Sequence, residues 1–189
     1  MYRDGKVYDK IKDVIIDIFI DYDIKEFPIN EREVCKKLGV ALVAYSEYEG
    51  IERELLLKKS KYGFFAPPTS NNVPTIFYND INRSYGMVRF TIFHELKHYV
   101  FEDQDDEDDD IADFFARYFM CPIPYMLLKK IDSQNEIMSY CGMSLEPARY
   151  ACSNIINRRN RYGYKIFDYE VRLINHLNPI LLEVYKKSS

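Results

Sequence analysis

Val7, Ile11, Val14, Ile15, Ile18 and Phe19 recur at the three-and-four spacing of a helix face, so the chain opens on an amphipathic helix of about four turns laid on a core. Pro28 interrupts the pattern. Asn30, followed three residues later by Glu33, has the form of a helix cap with its capping-box partner, and Gly39 after Leu38 supplies a stop, which predicts a short second helix. Three apolar, β-rich runs come next: Val40 to Tyr45, Tyr62 to Ala66, and Val73 to Asn79, parted by polar or Pro-rich connections. They predict a small sheet of three strands or slightly more. From about Ser84 the helical period returns, with Phe90, Phe93, Leu96, Lys97 and Val100 near one stripe. Ala112, Phe115, Ala116, Phe119 and Met120 then mark a well-buried helix closed by Pro122. Pro124 can open another helix through Lys130, and Ser144 to Arg159 and Tyr169 to Tyr185 read as two more. The pattern as a whole is α+β, with helical regions on either side of a small sheet.

The composition narrows the class. At 189 residues, 47% hydrophobic and 30% charged, the chain fits one ordinary soluble domain with a core of its own. The expected layout is a single domain over 1–189: helices in 1–39, a small sheet in 40–80, a helical pair in 84–122 and a helical region in 123–189. The longest apolar run, Val14 to Ile20, is short and is broken by Asp17, so no membrane partner is expected. A polar start, Met1 to Lys6, followed by an amphipathic pattern makes the cytoplasm the expected location. A net charge of −4 argues against direct binding of nucleic acid, which needs a clustered basic face. The one basic cluster, Arg158-Arg159-Asn160-Arg161, reads as a solvated helix end or turn. Cys35, Cys121, Cys141 and Cys152 form no C-x-x-C pair and are expected to be reduced, mostly buried thiols.

Chemistry concentrates in His94-Glu95-Leu96-Lys97-His98. On a helix of about 3.6 residues per turn, positions i and i+4 share a face, so both rings can reach a single ion at roughly 2.0–2.1 Å. This is the H-E-x-x-H zinc pattern. Glu95 falls beside the metal and not on it, where its carboxylate can act as general base on a zinc-bound water. Only three histidines occur in the chain, so this spacing is a poor fit to chance.

A catalytic zinc takes three protein ligands and leaves one position for water. His176 is remote and reads as a surface or half-buried ring, which leaves a carboxylate as the third donor. Asp108, Asp109 and Asp110, at the start of the predicted 112–120 helix, compete for that place. Asp113, four residues after Asp109, suits a supporting role, accepting the outer N–H of a ligating histidine and so setting its tautomer. Most of the acidic run Glu102 to Asp110 reads as a solvated, self-repelling loop. It lacks the alternating ligands and the glycine of a calcium loop. Tyr99, Tyr118 and Tyr125 lie near the motifs, yet as members of a set of seventeen tyrosines they read as packing or surface residues, not as an oxyanion stabiliser.

Three segments together resemble the ImmA/IrrE metallopeptidases of bacteria, phages and mobile elements: Pro74 to Asn79, Arg89 to His98, and Asp109 to Pro122. In that family the last segment has the form Glu-x-x-Ala-Asn/Asp-x-Phe-Ala-x-x-Leu-Leu-x-Pro, its Glu being the third zinc ligand. By register the resemblance implies His94, His98 and Asp109 as ligands of Zn2+, Asp113 at the Asn/Asp position, and Glu95 as the catalytic base. Two departures stand out: Lys97 occupies the place of the family's usual glycine, and the ligand Glu is shortened to Asp. The fold implied is zincin-like, the small sheet packed on the H-E-x-x-H helix and one sheet edge open to an extended peptide. The function implied is zinc-dependent endoproteolysis of a specific protein, a transcriptional repressor of a phage or mobile element. Lys97 and the shortened ligand keep a second expectation open, a zinc-binding regulatory module that holds a repressor without cutting it.

Overall fold

The computed structural model describes residues 5–102 and 109–188. The acidic stretch at 103–108, Asp108 included, lies outside the described residues. The protein is α+β, and its residues group into two compact units, one of Asn30–Ala116 and one of Met1–Ile29 with Arg117–Ser189.

Within the 30–116 unit, helix α2 (Glu31–Leu38) begins at Asn30, whose side chain accepts from the amides of Arg32 and Glu33, and ends at Gly39 with φ +75°. Glu33 does not close the capping box; it pairs with Lys37 at 2.9 Å. Strands β1 (Ala41–Ala44), β2 (Gly63–Ala66) and β3 (Thr75–Tyr78) form a mixed sheet in the order β1-β3-β2. β1 runs parallel to β3, Leu42 opposite Ile76, and β2 runs antiparallel to it, Phe65 opposite Ile76. Ile76 and Tyr78 are buried on one face, and on the other Phe64 stacks on Phe77 at 4.9 Å.

Between β1 and β2 the structure has a feature that the pattern did not predict. A short 3₁₀ turn (Tyr45–Glu47) leads into helix α3 (Gly50–Lys59), which buries none of its side chains. Without a buried stripe it leaves no amphipathic period in the sequence.

Helix α4 (Tyr85–Val100), capped by Ser84, packs on β2 and β3, and α2 packs on both α4 and β1. Its buried side keeps Phe93, Leu96 and Lys97 of the predicted stripe, whereas Phe90 and Val100 are half-buried and Arg89, outside the stripe, is fully enclosed. Arg89 Nε donates to Glu31 Oε2 at 2.9 Å, which tethers α4 to the start of α2 through a buried ion pair. Gly63 allows α4 to sit close to the sheet, since a Cβ there would meet the Phe77 carbonyl and the Thr91 methyl, each at 2.7 Å. Helix α5 (Asp109–Met120) contributes its first eight residues, through Ala116, to this unit.

The other unit is helical. Helix α1 (Gly5–Asp21) buries Ile11, Ile15, Ile16, Ile18 and Phe19 but leaves Val7 exposed. Phe19 meets Phe119 at 5.1 Å. Helices α6 (Ile123–Lys129), α7 (Gln134–Cys141), α8 (Leu145–Tyr162), α9 (Asp168–Leu177) and α10 (Pro179–Ser188) complete it. The single helix predicted over 169–185 is two, because Pro179 has no N–H and keeps Asn178 out of the helical region. The basic cluster stands at the end of α8, with Asn160 and Arg161 exposed, but it is solvated only in part: Arg158 donates to both oxygens of buried Glu170, and Arg159 pairs with Asp132. All four cysteines are free thiols, Cys152 alone being partly exposed. Among the described residues no helix is long and apolar enough to cross a membrane.

Candidate metal centre

Ser84 starts α4 in a phase that puts His94 and His98 on one face, their rings 5.9 Å apart between centroids and tilted by 56°. His98 is buried and His94 half-buried. α5 brings two carboxylates to the same place. His94 Nδ1–H donates to Asp113 Oδ1 at 2.9 Å, so the other ring nitrogen, Nε2, carries the lone pair when the ring is neutral. Nε2 stands 3.7 Å from Asp109 Oδ1. Asp110, one residue on, is exposed and has no contact of this kind.

The electrostatics favour positive charge at His94. Burial works to lower its pKa, but the hydrogen bond to Asp113 and the charges of Glu95, Asp113 and Asp109 outweigh burial and raise it. The carboxylates that favour a proton on this ring favour a divalent cation beside it for the same reason.

The residues fit zinc in kind and in spacing. Two nitrogens and a carboxylate oxygen are the donors of a catalytic zinc, and ligands at about 2.0–2.1 Å from a tetrahedral ion stand roughly 3.4 Å apart. The 3.7 Å between His94 Nε2 and Asp109 Oδ1 is slightly wider than that and too long for a hydrogen bond. Asp109 is 80% exposed, so its side chain has room to swing inward. Among the described residues no three His, Cys, Asp or Glu side chains already converge as a closed metal cage.

Glu95 sits beside the two histidines, almost fully buried, and its Oε2 accepts the backbone N–H of Phe65 at 3.0 Å. Phe65 lies on β2, at the edge of the sheet, and this N–H points away from β3. Tyr45 lies near the same carboxylate. Its hydroxyl donates to the Ser60 carbonyl at 3.2 Å, and burial, reinforced by the charge of Glu95, pushes its pKa up to about 12.

Phe65, which touches Glu95, and Tyr45, which lies near it, are two neighbours of this carboxylate that sequence reasoning missed. Phe65 acts through a backbone group and leaves no residue-type signal, and Tyr45 is one tyrosine among many. Of the other tyrosines considered, Tyr99 donates to the Leu38 carbonyl at 3.0 Å, while Tyr118 and Tyr125 are buried in the helical unit. His176 belongs to that unit as well, its Nε2–H donating to the Ile24 carbonyl at 3.2 Å.

Compared with known proteins, the chain matches no family model and no curated protein.

Proposed function

We propose that this protein is a zinc-dependent endopeptidase of the ImmA/IrrE kind, acting in the cytoplasm on one specific protein, a transcriptional repressor of a phage or mobile element. His94, His98 and Asp109 would hold the ion, and Asp113 would orient His94. Bound zinc supplies Lewis acidity, polarising the scissile carbonyl and lowering the pKa of a water beside it.

The remaining steps belong to the chain's own side chains. Glu95 takes a proton from the attacking water as the oxygen–carbon bond forms, and hands it to the leaving nitrogen as the carbon–nitrogen bond breaks. The Phe65 amide fixes the orientation of that carboxylate by holding Oε2. The enclosure of Glu95 keeps the proton transfer away from bulk water.

The observation that carries this reading is the contact between two helices: His94 on α4 faces Asp113 with one ring nitrogen and Asp109 with the other, while Glu95 adjoins it in the chain. The test is Glu95→Gln. Zinc content by elemental analysis should be retained, and cleavage of the repressor encoded beside this gene should fall about 10²–10⁴-fold. A second reading, a zinc-binding module that inactivates its repressor without hydrolysis, draws on the exposure of Asp109 and the buried Lys97 at the family's glycine position. Undiminished repressor inactivation by the Glu95→Gln protein would establish that module and remove the peptidase.

A further inference from the structure

β1 forms the edge of the sheet opposite β2, and a groove runs there along α2. Val40, Leu42 and Val73 line it, with Arg32 and Lys36 one helical turn apart along its rim. Ala41 N–H bonds back to the Pro74 carbonyl, toward β3, so by the alternation of a strand the N–H and C=O of Leu42 point outward. Among the described residues nothing pairs with them. The next outward amide, that of Ala44, is already taken by Glu47 Oε1 at 2.9 Å, which closes that end of the edge.

The rim charges are uncompensated as well. Arg32 donates to the neutral Tyr78 hydroxyl at 2.9 Å, and neither it nor Lys36 meets a carboxylate among the described residues, in contrast to Lys37, which pairs with Glu33. Val73 leaves 60% of its surface in water. Open strand groups, an apolar floor and two cations that meet no carboxylate among the described residues are complementary to one kind of occupant.

We infer that this groove binds an extended acidic segment of a partner protein, which adds as a short strand to the outer edge of β1. Its backbone pairs with the N–H and C=O of Leu42, and its carboxylates meet Arg32 and Lys36. The site shares no residue with the candidate metal centre, so it stands whether or not the protein is a peptidase.

The probe is a short, fluorescent, N-acetylated peptide of alternating glutamate and valine, titrated into the full-length protein and followed by anisotropy. Binding should weaken as salt rises and should fall several-fold in Lys36→Glu and further in Arg32→Glu/Lys36→Glu. In the unaltered protein, the Leu42 amide should become protected from hydrogen exchange when the peptide is present, a readout that needs no variant. Equal binding of a lysine–valine peptide, or of the glutamate peptide methylated on its amide nitrogens, would overturn the proposal. An unprotected Leu42 amide at saturating peptide would overturn it too.

Discussion

Phe65 donates its backbone N–H to Glu95 Oε2 at 3.0 Å, so an edge strand of the sheet holds the carboxylate that stands between the two histidines of the motif. Replacing Phe65 by its α-hydroxy analogue turns this amide into an ester and removes only the donor. A hydrogen bond to a charged group is worth about 1.5–3 kcal/mol, so kcat for repressor cleavage should fall roughly 10- to 100-fold. Zinc affinity should not change. A matching loss of zinc would show that the contact supports the fold of the site and not the base.

Asp113 sets the tautomer of His94 from behind. Asp113→Asn should therefore lower zinc affinity about 10- to 100-fold, measured by competition with a chromogenic chelator. Asp109→Ala should cost more, because it removes a donor outright. Asp110→Ala should leave affinity where it was; if it costs as much as Asp109→Ala, the third ligand has been misplaced by one residue.

A methyl group at position 63 has nowhere to go. Gly63→Ala would press on the Phe77 carbonyl and on the Thr91 methyl, and overpacking of this kind destabilises by about 1–3 kcal/mol. Urea unfolding should show this as a lower midpoint at an unchanged slope. Adding Thr91→Ala should recover only part of the loss, since the carbonyl stays in place.

Alkali should loosen the 30–116 unit. Burial and the neighbouring Glu31 carboxylate push the Cys35 thiol up to about 12, and Tyr45 is raised to about 12 by burial and by Glu95. Both groups are neutral when protonated, and the folded state holds their protons more tightly than the unfolded chain does. Their contribution is therefore fully present below about pH 8.5, where the unfolded thiol begins to ionise, and is lost as pH climbs toward 12. Urea midpoints measured from neutral pH upward should fall over that window, and Cys35→Ala should make the fall shallower.

What the sequence could convey follows from which signals are local. Asn30 and Gly39 mark both ends of α2 because capping and a left-handed terminus depend on the residue in place, and the three β-rich runs register for the same kind of reason. The two rings of α4 were legible because helical spacing alone puts them on one face, and Asp113 because its register on α5 is equally regular. Helix α3 was not legible, since a helix with no buried face has no period to detect. The burial of Arg89 left no signal, because a charged residue goes inside only when a distant group meets it, as Glu31 meets Arg89. The Phe65 contact involves a backbone amide, for which every residue type except proline is equivalent.

The ion pair of Glu31 and Arg89 joins residues 58 positions apart, Phe65 reaches Glu95 across 30, and Asp113 reaches His94 across 19. Each of these closures is non-local, and such closures come late because a long loop must be ordered before any contact rewards it. On the ribosome the two rings emerge before Asp109 and Asp113, which follow them in the chain. A chain stalled short of Asp113 carries the motif without the assembled cluster, so a half-made molecule has the letters of the site but not its chemistry.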